Sequence, residues 1–272
     1  MSYPDLLSFA AGLLVTGALS GVLAGLLGIG GGGIIVPALA LALAAMGYGG
    51  DVGQHVAVAT SLAIIIPIGL SSARAHDAKG ALDRPTFRLW APVIFVATLA
   101  GGISAGLFPG KVLQAVLGFM AFFIAANILL PFLERLMRRV HGSATAQRLC
   151  AAVIGYLCAL MGTGGGALSV PTLAAFGLPI HTAVGTGAAL GVPIALAGTL
   201  GFLISGWNAE GLPPLSLGYI NLPALVLIGG VASLTAPFGA RLAHRLPART
   251  LKKVFAVFLV VVGVSMLWAA FG

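Results

Sequence analysis

Residues 28–37 read Gly-Ile-Gly-Gly-Gly-Gly-Ile-Ile-Val-Pro, with glycine at five of the first six positions and apolar residues on both sides. The pattern returns at residues 162–171, which read Gly-Thr-Gly-Gly-Gly-Ala-Leu-Ser-Val-Pro. Consecutive glycines let a backbone bend, approach another backbone closely, or expose its amides to a ligand. Glycine interruptions at corresponding places in two halves of a hydrophobic chain indicate the substrate site of a transporter.

The composition places the chain in a membrane. Of its 272 residues, 59% are hydrophobic and only 7% are charged, whereas soluble domains carry about 25% charged residues. The net charge of +8 does not indicate nucleic-acid binding. The basic residues cluster in short loops between apolar segments, as they do in cytoplasmic loops of membrane proteins. The sequence therefore predicts an all-α polytopic membrane protein that contacts lipid and has no nucleic-acid partner.

Hydropathy predicts ten apolar segments, at approximately 6–27, 34–47, 55–73, 87–108, 111–132, 147–161, 167–178, 182–205, 219–240 and 250–271. At 1.5 Å per residue, the second and the seventh are too short to cross a hydrocarbon core of about 30 Å upright. Both begin next to a glycine stretch. We therefore expect broken or re-entrant helices whose glycine tips meet near the membrane midplane. Loop charge does not separate ten full crossings from six crossings plus two re-entrant hairpins, and we favour the hairpins.

The two halves of the chain are related by an internal repeat. Besides the glycine stretches, the corresponding parts are residues 55–61 with 181–187, and Pro67 with Pro193. The repeat divides the chain into a first membrane repeat over residues 1–133, a cytoplasmic linker over residues 134–148 and a second membrane repeat over residues 149–272.

Loop charge predicts that the two five-segment repeats are inverted. Basic residues crowd into three connections, namely Arg74, Lys79, Arg84 and Arg88; Arg135, Arg138, Arg139 and Arg148; and Arg241, Arg245, Arg249, Lys252 and Lys253. The positive-inside rule places all three in the cytoplasm. Residues 206–218 correspond to the first of them, yet they carry Glu210 and no basic residue, so we expect them outside. Corresponding loops then lie on opposite faces, and both termini lie outside.

Helices that begin at the two glycine stretches would present unpaired N–H groups and the positive ends of their dipoles, which favour anions. Nearby hydroxyls would add neutral donors. The candidate substrate-binding residues are Gly30, Gly31, Gly32, Gly33, Thr60, Ser61, Thr163, Gly164, Gly165, Gly166, Thr186 and Gly187. The alternative interpretation is that the glycines only allow helices to pack closely.

Ionisable residues are absent from the predicted membrane interior. All six acidic residues lie in loops or at segment ends, and this disfavours a cation substrate because ionisable residues mark such pathways. His55 and His181 occupy corresponding positions and are candidates for a gating or proton-linked role, the alternative being an interfacial helix cap. No residue pattern predicts a metal site, a cofactor or a catalytic dyad. We therefore expect a protein that is not an enzyme.

The paired glycine stretches and the paired segments that begin at His55 and His181 resemble the sulfite exporter TauE/SafE family. The resemblance implies a permease of the bacterial inner membrane that exports sulfite, thiosulfate or an organosulfonate such as sulfoacetate. The residues alone indicate only a small anion, moved by alternating access. A passive anion channel, or a transporter of another small organic anion such as a carboxylate, is the alternative. The sequence predicts no oligomeric state.

Overall fold

A computed structural model describes residues 11–22, 32–130, 143–243 and 248–272 of the protein as a helical bundle. The described helices are α1 Ala11–Val22, α2 Gly32–Ala45, α3 Gly50–Asp77, α4 Arg84–Ala105, α5 Gly110–Leu129, α6 Ala144–Met161, α7 Gly166–Ala175, α8 Ile180–Ser205, α9 Leu222–Ala243 and α10 Ala248–Phe271. Two short strands, β1 Ser216–Leu217 and β2 Ile220–Asn221, pair antiparallel between α8 and α9.

Each predicted apolar segment corresponds to one of these helices, with ends displaced by a few residues. The helix α3 extends beyond its predicted segment at both ends, contains Pro67 without breaking and is 28 residues long. The strand pair was not predicted. It forms because Gly218, with φ of +55°, allows a tight turn between β1 and β2, and Asn221 then caps α9 by accepting a hydrogen bond from the Ala224 N–H at 3.0 Å.

Five of the described helices are long and apolar enough to cross a membrane, namely α3, α4, α5, α6 and α8. The protein is therefore a multi-pass membrane protein. The apolar parts of α3 and α8 are the most deeply buried of the five. Their burial identifies these two helices as the centre of the bundle.

The helices α3 and α8 cross in antiparallel directions. Leu62 of α3 contacts Gly198 of α8, whereas Gly69, further along α3, contacts Val192, which comes earlier in α8. The helices α4 and α8 run parallel, with Gly102 against Gly201 and Gly106 against Ser205.

Small residues let α4, α6 and α8 approach closely. A β-carbon on Gly155 of α6 would lie 2.8 Å from the carbonyl oxygen of Ile94, and one on Gly201 of α8 would lie 2.8 Å from the Leu99 carbonyl oxygen. This proximity also allows a hydrogen bond between helices, from the Thr98 hydroxyl of α4 to the Gly155 carbonyl oxygen of α6 at 3.0 Å. Such small-residue contacts and interhelical hydrogen bonds are typical of membrane helices, which gain no hydrophobic driving force from one another in lipid.

The helices α6 and α7 form a hairpin. The helix α6 runs parallel to α4, because Trp90 bonds to Gln147 at one end and Gly101 contacts Ala159 at the other. The helix α7 runs antiparallel to α8, with Val170 against Gly187. Since α4 and α8 are parallel, α6 and α7 point in opposite directions, and residues 162–165 form the tip between them.

The helices α1 and α2 point in opposite directions. The helix α2 runs antiparallel to α3, with Leu43 near Gly53 and Gly32 near Ile65. The helix α1 runs parallel to α9, because Gly17 contacts Ile228 and Gly21 contacts Ala232. The helices α9 and α3 are also parallel, as shown by contacts of Asn221 with Thr60 and of Gly229 with Ile64.

Candidate functional site

The start of α2 touches the tip between α6 and α7. A β-carbon on Gly32, the first residue of α2, would lie 2.5 Å from the Gly162 carbonyl oxygen and 2.8 Å from the Thr163 α-carbon. Backbone therefore meets backbone at this point, and only glycine leaves room for the contact. The structure thus brings the two predicted glycine stretches together, although Gly30 and Gly31 lie outside the described residues.

The second tip requires glycine for its conformation as well as for space. Gly162 ends α6 with φ of +69°, and Gly165 precedes α7 with φ of +80°. Both values lie in the left-handed region, which side chains with a β-carbon rarely adopt. A β-carbon on Gly165 would also collide with the end of the Ile194 side chain. The glycines at these two positions are therefore explained by the turn itself.

The tip of α6 and α7 lies beside the middle of both central helices. Gly162 contacts Val58, Gly164 contacts Ile65, and the Gly164 carbonyl oxygen lies against Gly191. Val58 and Ile65 belong to the central turns of α3, and Gly191 is near the midpoint of α8. The two short helices α2 and α7 therefore both begin in the interior of the bundle.

Hydroxyl groups surround the tips in different hydrogen-bonding states. The Ser61 hydroxyl donates to the Gly162 carbonyl oxygen at 2.9 Å, so its proton is not available to a ligand. The Thr163 hydroxyl is buried and has no hydrogen-bond partner among the described residues. Ser169, in the first turn of α7, is fully buried, and its hydroxyl has no hydrogen-bond partner among the described residues.

There is room beside Gly33, because a β-carbon built on this second residue of α2 meets no atom of the described residues within 4 Å. The first turn of a helix carries N–H groups without an intrahelical acceptor and a partial positive charge. The starts of α2 and α7 are such first turns, and neither contains a charged side chain.

Thr60 and Thr186 each form a hydrogen bond with a residue from the other half of the chain. The Thr60 oxygen accepts a hydrogen bond from the Asn221 N–H at 2.9 Å, and the Thr186 oxygen accepts one from the Asp83 N–H at 2.9 Å. Asp83 caps α4, as Asn221 caps α9. Both threonines are fully buried. Each hydroxyl oxygen thus satisfies the N–H of a residue that caps a helix, a role that the sequence did not predict.

Gly187 permits close packing in this structure. A β-carbon there would lie 2.8 Å from the Val170 side chain. This contact holds α7 against the first half of α8, next to Ser169.

The two predicted histidines have different surroundings. His55 is 4% exposed, and its Nδ1 and Nε2 lie 2.6 Å and 2.9 Å from the carbonyl oxygens of Asp51 and Ala105. A neutral imidazole has one N–H, so it can donate to only one of these oxygens at a time. His181, the second residue of α8, is exposed.

Tyr219, in the turn between the strands, stacks on His55 with ring centroids 4.9 Å apart. Burial, and then the charge of Asp51, raise the pKa of the Tyr219 phenol, so the phenol stays neutral. The Asp51 carboxylate itself accepts a hydrogen bond from the Gly110 N–H at 2.8 Å. His55 and Asp51 therefore join the start of α3 to the end of α4 and the start of α5.

Sequence reasoning missed Gln54. This residue is 1% exposed, and neither its Nε2 nor its Oε1 has a hydrogen-bond partner among the described residues. Its place directly before His55, as an amide at the start of an apolar segment, was the available signal. Among the described residues, no group of three or more His, Cys, Asp or Glu side chains could hold a metal ion.

Known proteins resemble the chain over almost its whole length. It is 34% identical to a "Probable membrane transporter protein" of Haemophilus influenzae, over 93% of this chain and 96% of the relative. It is 25% identical to the "Probable membrane transporter protein YunE" of Bacillus subtilis, over 94% and 96% of the two chains. A Methanocaldococcus jannaschii protein with a similar name is 22% identical, over 94% of each chain. No solved structure gives a significant match.

The family comparison covers the same region. Residues 13–266 match the family described as sulfite exporter TauE/SafE. The match includes both glycine stretches, the central helices α3 and α8, and the two buried threonines Thr60 and Thr186. The chain therefore belongs to the sulfite exporter TauE/SafE family.

Proposed function

We propose that the protein is a transporter that exports a small sulfur-containing anion, such as sulfite, thiosulfate or an organosulfonate like sulfoacetate, by alternating access. The observation that carries the proposal is a contact in the middle of the bundle. There Gly32, at the start of α2, packs on Gly162, at the end of α6. Two helix starts then point their partial positive charges into a region with buried hydroxyls. The family description supplies the sulfur oxyanion.

An inverted repeat is part of the proposal. If the two repeats are related by an axis in the membrane plane, the corresponding helices α3 and α8 must run antiparallel, as they do here. An axis along the membrane normal would make them parallel. The hydrogen bonds of Thr60 and Thr186 to opposite helix caps also support this symmetry, because each is the counterpart of the other under the repeat. The repeats would comprise residues 1–133 and 149–272, joined by residues 134–148.

We further propose that α1 with α2, and α6 with α7, form two re-entrant hairpins. The helix α7 has 10 residues, about 15 Å at 1.5 Å per residue, which is half of a hydrocarbon core of about 30 Å. Its start lies beside the middle of α3 and α8, which are long enough to cross. This depth supports tips near the midplane, with six full crossings by α3, α4, α5, α8, α9 and α10.

A neutral site suits export of an anion. The Asp, Glu, Lys and Arg side chains of the described residues belong to loops or to the first two or last two turns of the helices. A cell interior at negative potential drives an anion outward by about 2.3 kcal/mol per charge per 100 mV, so this export requires no coupling ion. The basic α3–α4 connection supports a cytoplasmic position for that end of the bundle, and we expect both termini outside the bacterial inner membrane.

Efflux from proteoliposomes tests this function. Purified protein is reconstituted in vesicles loaded in parallel with sulfite, thiosulfate, sulfoacetate, taurine and lactate, and efflux is measured under an imposed potential. We expect sulfite, thiosulfate or sulfoacetate to leave faster than from protein-free vesicles. Taurine, whose amine balances its sulfonate charge, should be retained.

Two results would change the assignment. Preferential efflux of lactate would indicate a carboxylate transporter. Ohmic currents in a planar bilayer, at rates beyond those of a carrier, would indicate a channel.

A further inference from the structure

The Gln54 side chain lies on the face of α3 that contacts the hairpin tip. Val58 and Ser61 follow Gln54 by four and seven residues, so the three share one face of the helix. Val58 contacts Gly162, and Ser61 donates its hydroxyl proton to the Gly162 carbonyl oxygen. The buried amide therefore projects from the same face, one helical turn before the tip contact.

The amide lies toward the outer end of α3. Helical side chains lean toward the N-terminus of their helix, and the N-terminus of α3 is opposite the basic connection that contains Arg74 and Lys79. That connection is cytoplasmic by the positive-inside rule. Gln54 thus lies between the glycine tips and the outer face, on the side toward which an exported anion must move.

The second repeat has no equivalent amide. In the register that pairs His55 with His181 and Thr60 with Thr186, Gln54 corresponds to Ile180. Ile180 is 57% exposed and apolar. The amide is therefore a one-sided feature and does not follow from the internal repeat.

A buried amide without a partner destabilises the protein in which it lies, because its donors and its acceptor have lost water without gaining a hydrogen bond. Both polar atoms of Gln54 are in this state among the described residues. By contrast, Gln147 of α6 accepts a hydrogen bond from the Trp90 indole at 3.1 Å. The Gln147 amide thus has a hydrogen bond within the packed bundle, whereas the Gln54 amide has none among the described residues.

We infer that Gln54 is a further substrate-contacting residue, whose amide Nε2 donates hydrogen bonds to the anion as it moves from the glycine tips toward the outer face. The inference rests on the proposed export function. A neutral amide suits an exit step, because it binds an oxyanion without the strong attraction of a positive charge that would retain it.

Replacement of Gln54 by methionine tests the role, since methionine is similarly long and unbranched but has no amide. We expect the sulfite concentration that gives half-maximal efflux to rise about tenfold or more, the loss typical of a missing buried donor. The melting temperature in detergent should stay equal or increase, because an unpartnered amide has been removed. The control, Gln147→Met, should show the opposite pattern, with a lower melting temperature and unchanged efflux per folded protein.

The outcomes separate the inference from the function on which it depends. A wild-type protein that moves none of the sulfur anions rejects both the proposed function and the role of Gln54. A wild type that exports sulfite, together with a Gln54→Met variant that exports it with the same half-saturation, rejects only the role of Gln54. A fall in melting temperature like that of Gln147→Met, with normal efflux per folded protein, identifies Gln54 as structural.

Discussion

Replacing Gly33 by alanine separates the two explanations of the glycine stretch, close packing and anion binding. A methyl group at Gly33 enters open space, since no atom of the described residues lies within 4 Å of its position. The folded protein should therefore tolerate it. Exchange of glycine for alanine in a helix contributes about 0.5–1 kcal/mol of stability. We expect an equal or slightly higher melting temperature for Gly33→Ala, but about tenfold or more weaker transport of sulfite, because the methyl group occupies the space beside the first-turn N–H groups.

The neighbouring substitution Gly32→Ala should behave differently. Its β-carbon would lie 2.5 Å from the Gly162 carbonyl oxygen, where ordinary contacts are 3.4–4 Å, so the two tips must move apart by about 1 Å. Overpacking of this kind typically destabilises by about 1–3 kcal/mol. At about 2–4 °C per kcal/mol for proteins of 150–250 residues, the melting temperature should fall by several degrees, and transport should fall with it.

Gly230→Ala is the matched control for Gly33→Ala. Gly230 lies within α9, and a β-carbon there also meets no atom of the described residues within 4 Å, but the residue is on the exposed side of its helix. We expect normal efflux and an unchanged or higher melting temperature. Efflux assays in proteoliposomes and melting curves in detergent measure both quantities for all three variants. If Gly33→Ala exports sulfite with the rate and half-saturation of Gly230→Ala, the start of α2 does not bind the anion.

Thr60→Val and Thr186→Val should each lower the free energy of unfolding by about 1–3 kcal/mol, because the N–H of a buried helix cap loses its acceptor. The serine variants keep the hydroxyl oxygen and should melt near the wild-type temperature; valine and serine variants that melt alike would refute the capping role. His55→Phe should lower the melting temperature, because its two carbonyl contacts are lost, whereas His181→Phe, at an exposed position, should leave it unchanged. Equal melting temperatures for the two phenylalanine variants would show that the His55 contacts do not stabilise the fold.

A substitution at Gly165 is less informative than one at Gly33. Valine there would block the tip amides, but the residue has φ of +80° and faces Ile194. A variant would lose stability from backbone strain and collision before any effect on a ligand. Loss of transport would not distinguish a binding role from a folding role. The geometry of each glycine therefore decides which of them can report on the site.

Helix positions could be predicted because each apolar run must form a helix to satisfy its backbone groups in lipid. The same reasoning predicted the interrupted helices, since α2 and α7 begin next to visible glycine runs. The strand pair near Gly218 escaped prediction because two residues per strand carry no periodic signal. The strand pair still matters for packing, because it positions Asn221 next to Thr60.

Local pattern established the membrane class and the helical segments, because hydropathy is a property of the chain itself. The rotation of each helix about its axis depends on its neighbours. Thr60 and Ser61 differ by about 100° around α3, and packing turned Ser61 toward Gly162 and Thr60 toward Asn221. Whether the Gln54 amide finds a hydrogen-bond partner likewise depends on helices that are distant in sequence. Only the packed structure shows that it has none among the described residues.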